Sequence, residues 1–302
     1  MKRREFIGAT LLAGAGAMTG GCKTLFDGST ERVPYGDTIG DRLWMWGHHA
    51  MAFASLQGNS NEYYNLPYDR RIDMADACKD MGIPGCFVVR WLNLPTKEEL
   101  PTYMKQFAGM KRVGFSITDS AKETFDEKVR LGLEFADRMP NLTTLILDDY
   151  WRPGHNQGHE ALVKVKERLA SRKLKLSAVL YSDADGVRDE LKRDIDLCDE
   201  ITFWFWFGKN VNGIEEQVAK LRELVGPEKP ILLGQYMWDF GGRRPMSAER
   251  MESQLAQTTR LLDRREISGV IFHCTPLVDM DIDAVNISRR WIRENAPRKW
   301  GA

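Results

Sequence analysis

Short apolar runs alternate with amphipathic runs along most of the chain. The apolar runs cover 43–47, 85–90, 113–118, 143–148, 174–181, 201–207, 231–236 and 269–273. Each is brief and rich in Val, Ile, Leu or aromatic residues, a composition that suits strands buried on both faces. Between them, helical spacing predicts helices over 69–81, 96–109, 121–139, 158–172, 187–198, 214–225, 247–266 and 283–295. Thr96 followed by Glu99 forms a capping box, and Ser247 is suited to cap the seventh helix. Val129, Leu133 and Ala136 recur at helical spacing with charges on the other face. Gly82, Gly109 and Gly226 stand where helices should stop.

Eight such β–α units in one chain predict a single (β/α)8 TIM barrel over 41–296. The rival, a doubly wound open sheet, would carry a Gly-rich phosphate turn after its first strand. Here that strand ends Trp46-Gly47-His48-His49, with no such turn. An extra stretch, 50–68, lengthens the first loop. Residues 23–40 are rich in Gly, Asp and Thr, contain Pro34 and read as a tether, and 297–302 read as a short tail.

The first 22 residues carry an address. Lys2, Arg3 and Arg4 precede an uncharged run of about 16 residues that ends Thr19-Gly20-Gly21-Cys22. This is an export signal; it is shorter than the roughly 20 residues that span a bilayer. Arg3-Arg4-Glu5-Phe6-Ile7 resembles a twin-arginine signal. Gly20-Gly21-Cys22 resembles a bacterial lipobox, which implies lipid attachment at Cys22 and a membrane-anchored chain in the periplasm or at the cell surface. Lys23 and Thr24 after the Cys carry no acidic residue, which in lipoproteins implies transfer to an outer membrane.

Lys+Arg and Asp+Glu both number 43. The zero net charge argues against a nucleic-acid partner, which favours a basic surface. Cys78, Cys86, Cys198 and Cys274 lack zinc-knuckle spacing and read as buried free thiols.

In a barrel of this kind the C-terminal strand ends build the active site. Those ends bring Trp44, Trp46, His48 and His49, then Arg90 and Trp91, then Thr118 and Asp119. They continue with Asp148, Asp149, Tyr150 and Trp151, then Tyr181, Asp183 and Asp185, then Trp204 and Trp206. The last two strands add Gln235, Tyr236, Trp238 and Asp239, and His273 with Thr275. Seven of the nine Trp residues fall on this rim. Flat aromatic faces stack on the apolar faces of sugar rings, so a carbohydrate partner is expected.

Leu145-Ile146-Leu147-Asp148-Asp149-Tyr150-Trp151 is the sharpest motif. Strand alternation sets Ile146, Asp148 and Tyr150 on one face and Leu147 with Asp149 on the other, so one carboxylate is expected to enter the cup. This strand end, the Trp-lined rim and the leader resemble the TIM-barrel glycoside hydrolase superfamily found among bacterial surface lipoproteins. The resemblance implies that a carboxylate ending the fourth strand, Asp148 or Asp149, is catalytic. The chain lacks the Asn-Glu of strand four and the Glu of strand seven used by the two-glutamate clan, and the D-x-x-D-x-D-x-E run of chitinase-like barrels.

A second carboxylate is expected at Asp239 or Asp119, with Asp183 and Asp185 in a turn-like sequence as further candidates. Trp46, His48, Arg90, Trp151, Tyr181, Trp206, Gln235, Tyr236, Trp238 and His273 are expected to hold sugar hydroxyls or stack on rings. No cofactor and no metal are expected. Two rivals stay open: a non-catalytic glycan-binding barrel, and a metal-dependent hydrolase or isomerase using His48, His49, His273 and Asp148.

Overall fold

The computed structural model describes residues 32–54, 64–67, 69, 71–152, 155–182 and 189–301. The export signal, Cys22, residues 23–31 of the expected tether, Asp183 and Asp185 lie outside the described residues. Eight parallel strands close into a barrel: β1 (Leu43–Gly47), β2 (Gly85–Val88), β3 (Arg112–Ser116), β4 (Leu142–Leu147), β5 (Lys175–Tyr181), β6 (Glu200–Trp204), β7 (Ile231–Tyr236) and β10 (Gly269–His273). β8 (Trp238–Asp239) and β9 (Arg244–Pro245) form a small antiparallel hairpin beyond β7. The helices are α1 (Met51–Ala54), α2 (Met74–Met81), α3 (Leu100–Tyr103), α4 (Phe125–Arg138), α5 (His159–Ala170), α6 (Asp189–Leu197), α7 (Ile214–Val225), α8 (Ala248–Asp263) and α9 (Asp283–Asn295). The (β/α)8 expectation therefore holds. Among the described residues no helix is long and apolar enough to cross a membrane.

Local chemistry sets the helix ends. Thr124 and Glu127 cap α4 reciprocally, satisfying two backbone donors that the first turn leaves open. Ser247 accepts from the Arg250 amide at the start of α8. Gly82 ends α2 at φ +69°, a left-handed turn that costs glycine little. The predicted helix 96–109 is broken instead. It consists of the short α3 and a 3-10 turn over Met104–Phe107, with Pro101 inside its first turn.

The barrel interior is filled by rings. Trp44 of β1 stacks on Phe87 of β2 at 4.4 Å, a contact type that adds about 0.5–1.5 kcal/mol beyond area burial. Two glycines make room for such rings: a Cβ on Gly114 would meet the Phe87 ring at 2.2 Å, and one on Gly234 would meet Trp204 at 2.0 Å. Alternate residues face outward, where Leu145 and Phe115 meet Gly132 of α4.

The expected tether and tail are corrected at their described residues. Residues 32–42 seal the N-terminal mouth of the barrel. Trp44 Nε1 donates to the Tyr35 hydroxyl at 2.9 Å, and Arg112 Nη1 donates to the Pro34 carbonyl at 3.2 Å. The amides of Ile39 and Gly40 donate to the carbonyls of Arg298 and Ala296, and Trp300 N donates to Asp37 O. Arg42 lies over the Trp300 ring at 3.7 Å. Buried aromatic and backbone contacts outweigh the flexibility that a Gly- and Asp-rich composition suggests. Cys78, Cys86, Cys198 and Cys274 are free and buried.

Candidate active site

The C-terminal mouth holds a cup of about 180 Å³, partly open to solvent. Every barrel strand or the loop after it contributes to its lining.

β4 delivers the acids. Asp148 follows the last strand residue and keeps the inward face of Ile146; Thr118 Oγ1 donates to its carbonyl at 2.7 Å. Asp149 then adopts φ +52°, the left-handed region that Asp tolerates better than most residues. This turn ends the period-two alternation. The expectation that only one carboxylate enters the cup is therefore corrected, because Asp148 and Asp149 both line it. Tyr150 swings out instead. Its hydroxyl donates to Gly158 O at 3.2 Å and accepts from Gln157 N at 3.1 Å. Trp151 packs edge-on against Tyr150 and lies outside the cup lining.

The two acids have different surroundings. Burial pushes the Asp148 carboxyl well above the usual carboxylate range, and the charges of Asp149 and Asp119 push it further. Asp149 Oδ2 pairs with Arg152 Nη1 at 3.0 Å, while its buried Oδ1 has no hydrogen-bond partner among the described residues. The Arg152 guanidinium lies 5.4 Å from the Tyr181 ring and 5.8 Å from Trp206. Burial first, then nearby charges, raises the Tyr181 and Tyr236 phenols well above their ordinary value.

The floor is made of Trp46, Trp204, His48 and His273. The two imidazoles are 5.4 Å apart. His48 Nδ1 lies 3.3 Å from Val89 O and donates to it in the matching tautomer, leaving Nε2 as an acceptor. Burial lowers His48 to about 4 and His273 well below the usual imidazole range, so both are neutral near pH 7. Among the described residues no group of three or more His, Cys, Asp or Glu side chains is gathered to hold a metal.

Asp119 lines the cup but is engaged by protein. It accepts from Arg90 N at 3.1 Å and Ala121 N at 3.2 Å, and pairs with Lys128 Nζ at 3.1 Å. Asp239 is outside the lining. It accepts from Gly208 N at 2.9 Å and Gly242 N at 2.8 Å and faces Arg250 at 3.5 Å, so it pins loops together. As a second acid it is withdrawn.

Three expected sugar contacts are also corrected. Arg90 is fully buried; its guanidinium donates to Glu123, Pro95 O and Asn93, with Glu123 Oε2 at 2.8 Å. Gln235 lies between the inward Gly234 and Tyr236 and so faces the helix layer. Trp238 donates its indole N–H to Tyr64 O at 3.1 Å and supports the wall from behind. Trp46, His48, Tyr181, Trp206, Tyr236 and His273 all line the cup. Tyr64, Arg152 and Phe240 join them without having been expected as sugar contacts. The unusual length of the first loop was the available signal for Tyr64.

No protein-family model matches the chain, and no curated protein sequence does. Solved structures do share its fold. The GH18 chitinase ChiB from the chitin utilization locus of Flavobacterium johnsoniae superposes with a TM-score of 0.50 at 10% identity, over 86% of this chain and 95% of its own. The spore cortex-lytic enzyme SleL of Bacillus cereus gives 0.50 at 12% identity, over 86% of this chain and 76% of its own. At these identities the likeness is one of barrel architecture.

Proposed function

We propose that the chain is a glycoside hydrolase acting on a neutral glycan, with Asp148 as proton donor. The observation that carries this reading is the pair of adjacent carboxylates in an aromatic cup, one pushed toward its protonated form by burial and its neighbours' charges and the other paired with Arg152. Environments that separate two acids in this way assign an acid and a charge partner. Asp148 donates its proton to the glycosidic oxygen as the bond to the anomeric carbon breaks, and leaves as carboxylate. Asp149 offsets positive charge developing on the sugar. Both acids come from one strand end, and Asp119 and Asp239 are engaged elsewhere. A water then adds to the anomeric carbon in place of the departed sugar and returns a proton to the Asp148 carboxylate, which restores the acid.

The neutral His48 and His273 accept hydroxyl hydrogens, and Trp46, Trp204 and Trp206 offer ring faces. The cations nearest the acids, Arg152 and Lys128, are matched by Asp149 and Asp119, which favours an uncharged sugar over an acidic one. The barrel neighbours that act on glycans add support at the level of fold. The test is turnover of a panel of neutral oligosaccharides by the wild type and by Asp148→Asn. Hydrolysis by the wild type that survives unchanged in a folded variant would remove Asp148 from the chemistry.

We also propose that the chain is exported and tethered through Cys22. Labelled fatty acid should attach to the wild type and not to Cys22→Ser.

A further inference from the structure

The closed strand order sets β2 and β6 on opposite walls of the barrel. Trp91 follows β2, and Trp206 follows β6. The Tyr64 ring lies 6.2 Å from Trp91 and 5.8 Å from Trp206, and 5.5 Å from Phe240 beyond β7. Centroids at 4.5–7 Å are rings in contact, so no sugar ring fits between them. The three rings Trp91, Tyr64 and Trp206 form a bar across the mouth.

The bar is braced. Trp238 Nε1 donates to Tyr64 O at 3.1 Å, and Asn65 Nδ2 donates to Arg243 O at 3.4 Å, both from the side of the β8–β9 hairpin. Phe240 closes the same side, 5.0 Å from the His273 ring. The covered half of the cup thus lies toward β7, β10 and β1, with Trp46, His48 and His273 beneath it. Among the described residues, the open half lies toward β3, β4 and β5, with Asp119, Asp148, Asp149 and Tyr181.

We propose that Tyr64 makes this cup a pocket for the end of a sugar chain and excludes the middle of one. The inference rests on the carbohydrate reading above. A chain lying across the mouth would have to pass through the ring bar. A chain end can enter from the β3–β5 side, stop its last ring against the ring bar, and leave its first linkage beside Asp148. Tyr64 is then a specificity-determining residue that acts by exclusion.

The test uses the full chain and four-sugar chito-, cello- and manno-oligosaccharides, each free, blocked with a bulky group at one end, or blocked at both. Binding is read by tryptophan fluorescence. The wild type should bind a free chain and a chain blocked at one end, and bind the doubly blocked chain about 100-fold more weakly, the scale of a steric veto. Tyr64→Ala should bring the doubly blocked chain to within about threefold of the free one, whereas Tyr64→Phe, which keeps the ring, should keep the discrimination. If Tyr64→Ala does not fold, Trp238→Phe serves in its place, since it removes the brace and should reduce the discrimination about tenfold. Equal binding of free and doubly blocked chains by the wild type overturns the inference and leaves the carbohydrate reading standing. No response to any sugar removes both.

Discussion

The two mouths of the barrel bury charge in opposite ways. At the N-terminal mouth, Glu200 is fully buried and faces Lys175 Nζ at 3.6 Å. Arg112 and Lys175 lie 4.2 and 5.1 Å from the Tyr35 ring. Residues 32–42 and the C-terminal segment close over them. At the C-terminal mouth, Asp148 is held against its ionisation, Asp149 has a buried oxygen with no hydrogen-bond partner among the described residues, and both acids line the cup. Covered charge that is paired is costly to unpair and is held in place by the fold. Charge kept uphill beside a cavity is available for chemistry, and barrels of this architecture place function at that end. The difference lies in what covers each cluster, since both use the same residue types.

The comparison breaks most sharply at Asp148. Asp148→Asn should lower turnover on the order of 10³-fold, within the 10²–10⁴ of one positioned acid, and should also raise thermal stability near pH 7. The raised folded-state pKa means that ionising Asp148 favours unfolding. That penalty is absent below its ordinary value of 3.8 and grows as pH rises through the folded value. Melting curves at pH 3 and pH 7 check the sign: a gain present at pH 7 and absent at pH 3.

Asp149→Asn should cost roughly 10²-fold in turnover. It removes a charge that raises Asp148, so the alkaline limb of the pH–rate profile should move to lower pH. An unmoved limb would mean that the two acids are not coupled.

At the other mouth the effects should reverse. Lys175→Met removes a partner of the buried Glu200 and should destabilise the fold by about 2 kcal/mol, below the 3–5 of a fully sealed pair because Lys175 is partly exposed. Turnover per folded molecule should not change. Urea melts and active-site titration separate the two quantities.

The smallest effect is expected at Asp239. Asp239→Asn weakens a loop clasp and should cost about 1 kcal/mol of stability, the net worth of a typical hydrogen bond, while turnover per folded molecule stays close to that of the wild type because Asp239 lies outside the cup. A loss as large as that of Asp148→Asn would return Asp239 to the chemistry.

Much of the barrel was legible in the chain. Continuous apolar runs between amphipathic runs suit strands covered by helices on their outer face, the lack of a Gly-rich phosphate turn after the first run argues against an open sheet, and Gly82 and Ser247 mark helix ends through local backbone chemistry. The acidic end of β4 was legible too, as the one apolar run that stops in two carboxylates. Other features depended on neighbours far away in sequence. Arg90 looks like a ligand contact until Glu123 and Pro95 surround it, and Asp239 looks like a second acid until Gly208 and Gly242 occupy it. Alternation predicts one carboxylate in the cup, but a single residue at positive φ, Asp149, brings in both. Residues 32–40 have the composition of a linker, and only the mouth of the barrel gives them something to bury. Periodicity, strand number and the types of residue at the rim can thus be read along the chain, because these follow from local hydrogen bonding and from the spacing of apolar side chains. The tertiary structure decided which rim charges are already paired, which face the cavity, and that Tyr64 reaches across it. Those outcomes depend on contacts between strand ends and loops far apart along the chain, which no local pattern encodes.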